Sequence, residues 1–250
     1  MRVERGLRYV RLALAIAAGL LALQAGRVAA QSASEHQAAC RDETLNTAKR
    51  IADCTRSIEL AENDDVRAEA YIQRGVLKEL SGEREAAVTD YSEAIKIDPA
   101  YPIAYFNRGN AYEQLGQSDL AIADYTQAIK LDPKDPDFFN NRGQTYDSRG
   151  EHDRAIADYT EAIRLDGNNA RPLYNRGLSY ANKGDYRRAI ADFDAAIKIA
   201  PDDTDLYVAR GAAQEELGNL DAARADYRKV LQIEPDNEDA LEGLNRLGGN

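Results

Sequence analysis

A period of 34 residues runs from Ala68 to the C-terminal end of this chain and leaves few folds open to it. Pro99, Pro133, Pro201 and Pro235 stand at multiples of that spacing, with Gly167 where one further proline would fall. Gly75, Gly109, Gly143, Gly177 and Gly211 form one column, and Gly82, Gly116, Gly150, Gly184 and Gly218 another. Self-similarity of this length marks a stacked array, in which each unit buries its apolar face only against its neighbours.

Each unit reads as two helices. Between Pro102 and Pro133 the first carries Tyr105, Arg108, Gly109 and Tyr112 at helical spacing, and the second carries Ala121, Tyr125 and Ala128. Gly116 separates them, because glycine adopts the left-handed conformation that ends a helix. Pro133 cannot continue the second helix and drives Asp132 into an extended conformation. Pro102 and Pro136 suit a first helical position. The small residues mark a close helix crossing, with tyrosines filling the space beside it.

These residues resemble the signature of the tetratricopeptide repeat: an aromatic, two residues, Leu-Gly, two residues, Tyr, then Ala, three residues, an aromatic, and a late Pro. Five units match, at 68–101, 102–135, 136–169, 170–203 and 204–237. The resemblance implies an all-α fold, a right-handed superhelical solenoid of helix-turn-helix units. One column departs from the family. Where the family has leucine before the glycine, this chain has Arg74, Arg108, Arg142, Arg176 and Arg210, and sixteen residues later come Asp90, Asp124, Asp158, Asp192 and Asp226. Each Arg and Asp pair is expected to bridge the two helices of its unit at a partly buried seam.

The ends differ from the middle. Arg2, Arg5, Arg8 and Arg11 precede an apolar run from Leu12 to Gln24, and Val28, Ala29 and Ala30 offer a cleavage site before Gln31, so residues 1–30 resemble a secretory signal peptide. An uncleaved anchor is the alternative, although a spanning helix needs about 20 apolar residues. Residues 31 to about 36 are expected to be disordered. Cys40 and Cys54, the two cysteines of the chain, lie upstream of the regular units, and an even count in an exported chain suggests a disulfide. Ile51-Ala52-Asp53-Cys54-Thr55 parallels Ile122-Ala123-Asp124-Tyr125-Thr126, so residues 31–67 read as a degenerate helical hairpin, three residues out of phase, with the extra length around Asn63, Asp64 and Asp65. Over 238–250, Ala240, Leu241, Leu244 and Leu247 make the apolar face of a capping helix.

Residues 1–30 hold five arginines and one glutamate, so their removal leaves 27 basic and 42 acidic side chains. Such a chain is not expected to bind nucleic acid or an anionic membrane, which need clustered Lys and Arg; cationic partners are favoured, and the same acidity also maintains solubility. No constellation for catalysis is found. His36 and His152, the only histidines, have no evident base or metal partner, and phosphate loop, zinc-ligand pattern and nucleophile elbow are absent. No enzyme activity, metal or cofactor is expected.

In tetratricopeptide proteins the first helix of each unit lines a concave groove at its second, fifth, sixth, ninth and twelfth positions. The resemblance therefore points to Asn107, Asn141 and Asn175 in the sixth column, flanked by Gln73 and Ala209, as a ladder of amides facing an extended peptide. The twelfth column is acidic at Glu79, Glu113, Asp147 and Glu215, with Ala181 the exception. Phe106, Asn110, Asn140, Gln144 and Tyr174 complete the candidate groove, and Arg171 is its one cation. Family members that grip a terminal carboxylate use lysines and arginines here, so an acidic tail is a poor ligand.

The sequence thus describes an exported, non-catalytic interaction module, periplasmic or secreted, that holds a polar, basic peptide or protein segment as a monomer. A self-associating envelope scaffold and an accessory subunit of polysaccharide export are the alternatives.

Overall fold

The computed structural model describes residues 32–248; the expected signal segment and its cleavage point lie outside the described residues. Thirteen α-helices and no strand are found among the described residues. They are α1 (32–41), then α2 (Thr47–Leu60), α3 (Asp64–Leu80), α4 (Arg84–Ile97), α5 (Pro102–Gln114), α6 (Ser118–Leu131) and α7 (Pro136–Ser148), followed by α8 (His152–Leu165), α9 (Ala170–Asn182), α10 (Tyr186–Ile199), α11 (Thr204–Glu216), α12 (Leu220–Ile233) and α13 (Glu238–Arg246). None is long and apolar enough to cross a membrane. The helices pack pairwise in sequential helix-turn-helix units, in two compact bodies, Met1–Leu115 and Gly116–Asn250, that divide within the repeat 102–135.

The punctuation acts as the sequence implies. Asp132 sits at φ −132° and ψ 96° before Pro133, and Pro102 and Pro136 open α5 and α7. Gly150, at φ +74°, reverses the chain after α7 and lets the Glu151 N–H reach back to the Tyr146 carbonyl at 2.9 Å.

Within a unit the small-residue column has a sharper purpose than a close backbone crossing. A Cβ on Gly143 would stand 2.7 Å from Cε1 of Tyr159, and one on Gly177 2.6 Å from Cε1 of Phe193. The glycine is the floor on which the buried aromatic of the second helix lies. The preceding residue is the arginine. Arg142 forks onto Asp158 with Nε and Nη2 at 2.8 Å, Arg176 onto Asp192, Arg210 onto Asp226, and in the first body Arg74 onto Asp90. An Arg-Gly step on one helix thus receives an Asp-aromatic step on the next.

The same arginines also tie each unit to the one before. Nη1 of Arg142 donates to Thr126 Oγ1, of Arg176 to Thr160 Oγ1, and of Arg108 to Ser92 Oγ, each at 3.0 Å; Arg210 Nη1 pairs with Asp194. Arg74 Nη1 reaches Thr55 Oγ1, 19 residues away where the others span 16. Helix α3 is four residues longer than α5, 17 against 13, and the loop before it is one residue shorter, 61–63 against 98–101, which gives the offset of three; Asn63 caps α3 by accepting from the Val66 N–H.

Cys40 on α1 and Cys54 on α2 form a disulfide beneath Leu77. The disordered start is not observed. Residues 32–41 are helical, and His36 Nδ1 is 2.8 Å from Asp53 Oδ1, because the α1 face bearing His36 and Cys40 lies on α2. On α13, Ala240, Leu244 and Leu247 face Tyr227, but Leu241 is 43% exposed. It lies about 100° around the helix from Ala240, and Gly243 takes the inward place.

Candidate functional site

The expected groove residues divide between the two bodies. In the first, α5 carries Phe106, Asn107, Asn110 and Glu113, all partly buried, and Glu113 Oε2 is buried with no hydrogen-bond partner among the described residues. In the second, α7 and α9 carry the rest, and α7, α9 and α11 touch one another in turn.

The amides of the second body are linked to each other. Asn175 Nδ2 donates to Asn140 Oδ1 at 3.1 Å, and Asn140 Nδ2 donates to Asn141 Oδ1 at 3.3 Å. Asn140, 1% exposed, therefore does not face a ligand; it is a buried relay that fixes the partly exposed Asn141 and Asn175. Asn140 is enclosed because Asn175 of α9, the next first helix, packs over it. Gln144 and Arg171 are exposed, and Tyr174 leans on Phe193 with ring centroids 6.0 Å apart.

The twelfth-column acids are not an open row of charges. Asp147 Oδ2 accepts from the Tyr159 hydroxyl at 3.1 Å and from Ser179 Oγ at 2.6 Å, and its Oδ1 lies 2.9 Å from His152 Nδ1. Glu79 accepts from the Tyr91 hydroxyl at 3.0 Å and from the Gln114 amide, and Glu215 accepts from Tyr227 at 3.0 Å and is gripped by Arg246. Each acid terminates the phenol of the aromatic twelve residues later. Burial, then the facing acid, pushes the Tyr91, Tyr159 and Tyr227 hydroxyls upward, Tyr227 to about 12. The fourth unit, 170–203, lacks both halves of this pair. Ala181 stands in the acid's place and Phe193 in the tyrosine's.

A cleft of about 420 Å³ lies at that double replacement. Leu178, Ala181 and Phe193 form its floor with Ala209, Ala212 and Ala213 of α11, and Glu215, Glu216 and Arg246 stand on its rim. In the sequence this place is marked by Ala181, Ala209 and Ala212, the three positions where the sixth, ninth and twelfth columns change to alanine.

The packing has known counterparts. A family model described as TPR repeat matches residues 80–116 and 144–184, and models described as tetratricopeptide repeat match 102–135, 124–157 and 174–238. The chain is a tetratricopeptide repeat protein. Among solved structures it is similar to MamA, at 27% identity over 64% of this chain and 94% of the other, with a TM-score of 0.62. YrrB, described as a TPR protein with an unusual peptide-binding site, is 24% identical over 77% of this chain and 97% of its own, with a TM-score of 0.64. A tetratricopeptide repeat protein from Parabacteroides merdae is 17% identical with a TM-score of 0.68, covering 87% of this chain and 92% of its own. The likeness to these last two shows the fold alone. No curated protein matches the chain.

Proposed function

We propose that this tetratricopeptide repeat protein is an exported, non-catalytic module that holds an extended segment of a partner protein against the first helices of its second body. The observation that carries this is the Asn175, Asn140 and Asn141 relay. A buried amide that orients two partly exposed ones prepares donors and acceptors for a peptide backbone, which every sequence offers. YrrB, whose own description names a peptide-binding site, adds support by analogy of fold.

Preference for a basic segment rests on the acidity of the chain and on exposed carboxylates such as Asp137, Asp205 and Glu216, since Asp147, Glu79 and Glu215 are engaged internally. The arginine-rich, then apolar start supports export, and the Cys40–Cys54 disulfide agrees with an oxidising compartment.

An array of extended peptides read by fluorescence polarisation tests the binding. Replacing Asn141 and Asn175 together by Ala is expected to weaken all bound peptides alike, by about tenfold, since each amide contributes about 0.5 to 1.5 kcal/mol whatever the partner's side chains. Weakening confined to one class of side chain would contradict backbone recognition. Fractionation of cells expressing the full chain, with N-terminal sequencing of the product, tests export, for which a mature start near Gln31 is expected.

A further inference from the structure

We infer that the cleft between α9, α10 and α11 is the specificity pocket of the proposed peptide site, and that it takes one bulky apolar side chain, leucine, methionine or phenylalanine, carried next to a lysine or arginine. This rests on the peptide-binding reading above and names what the second body selects. The cleft exists because the chain breaks its own rule there. Elsewhere in this body the space is filled by an acid bonded to a tyrosine hydroxyl, as in Asp147 with Tyr159 and Glu215 with Tyr227. Ala181 and Phe193 remove the carboxylate and the hydroxyl together, so no buried polar group is orphaned there, and with Leu178 they leave an apolar patch in a lining that Asn182, Tyr186 and the charged rim otherwise make polar. Ala209 and Ala212 keep the opposite wall low, so the volume of about 420 Å³ exceeds that of a leucine or phenylalanine side chain.

The cleft lies on the sixth, ninth and twelfth columns of the first helices, beside Asn175 in the same unit, so a backbone laid along the amides passes over its mouth. The charge of its rim specifies the second half of the motif. Glu215 and Arg246 neutralise each other through two contacts of 3.1 and 3.2 Å, while Glu216 is exposed with no ion-pair partner among the described residues. A cation beside the apolar side chain finds Glu216; an anion there meets it as like charge.

The probes are synthetic decapeptides on an Asn/Ser background with one central Leu flanked by Lys, the same peptide with Ala for Leu, and the same with Glu for Lys, measured against the full chain by fluorescence polarisation. The Leu and Lys peptide is expected to bind about tenfold or more tighter than either relative. The double variant Ala181→Glu/Phe193→Tyr restores the acid and tyrosine pair of the neighbouring units, keeps the fold by their precedent, and is expected to bring the ratio of Leu-peptide to Ala-peptide affinity to about one. Should that variant melt below the parent, Ala212→Leu, which fills the cleft from an exposed position, carries the same expectation. Equal affinity for the Leu and Ala peptides, or a preference that survives both variants, overturns the pocket and leaves peptide binding standing. Absence of binding by any of the three peptides and by the array overturns both.

Discussion

The buried Tyr159 hydroxyl donates a hydrogen bond to Asp147 Oδ2 at 3.1 Å, and the corresponding pair in the next unit is Phe193 and Ala181. Acid and phenol are kept or discarded together, which identifies the acid as the tyrosine's acceptor ahead of any contact with a ligand. Asp147→Ala is expected to destabilise the protein by about 1 to 3 kcal/mol, because it strands a buried hydroxyl. Adding Tyr159→Phe should recover part of that loss, which urea denaturation of the two variants measures. A double variant less stable than Asp147→Ala alone would contradict the pairing.

Gly143 has no room for a side chain. Its Cβ would stand 2.7 Å from the Tyr159 ring, itself buried, so Gly143→Ala should cost about 1 to 3 kcal/mol as overpacking, although alanine is the better helix former. Thermal unfolding is the check, and a variant as stable as the parent would show that the helices can part at no cost.

Arg142 and Asp158 should couple. The fork is 2.8 Å at both arms with Asp158 buried, and Arg142 also holds Thr126 of the preceding unit. Removing the arginine alone leaves a buried carboxylate and should cost about 3 kcal/mol or more, and a double-mutant cycle should return a coupling above about 0.5 kcal/mol. Additive losses would reduce the seam to a coincidence of spacing.

How much of this was legible follows from how local each cause is. The Arg and Asp seam and the turn prolines repeat with the period, so the sequence displays them. Asp147's partner was equally present in the column comparison, yet the carboxylate was assigned to a ligand because its pairing with a tyrosine twelve residues on becomes visible only against Ala181 and Phe193. The burial of Asn140 was not legible, since it depends on how closely α9 lies on α7. The hairpin of residues 31–67 was legible, but not that its first helix begins at Ser32, because Ser32–Cys40 is short, polar and rich in Ser and Ala; what holds it is the contact with α2.

Stability should be flat across neutral pH and fall on both sides. Tyr227 is raised to about 12 by burial and by Glu215, so its contribution is complete below its ordinary value of about 10, where both states hold the proton. It is lost as pH rises from there, because the unfolded chain ionises first. Glu215 is lowered, chiefly by the bond from Arg246, so its contribution is present above its ordinary value of about 4.5 and is lost below it. Urea midpoints at pH 3, 7 and 11 measure this, and Tyr227→Phe should lessen the alkaline loss, to which Tyr91 and Tyr159 also contribute. A midpoint at pH 11 equal to that at pH 7 would contradict it.

The disulfide closes a short loop between α1 and α2, worth about 3 kcal/mol in the chain-entropy model. Reduction should lower the melting temperature and release α1 to amide exchange before any regular unit. Two free thiols in the oxidised protein would contradict the bridge.

The central claim is that the first helices of the second body meet a partner and the second helices do not. Photocrosslinking amino acids at Gln144 and Ala212, on α7 and α11, and at Ala157, on the exposed face of α8, test it in the cell of origin with mass spectrometry of the products. The account predicts one shared partner protein captured from Gln144 and Ala212 and not from Ala157. Capture from Ala157 alone, or capture only of further copies of the chain itself, would contradict it.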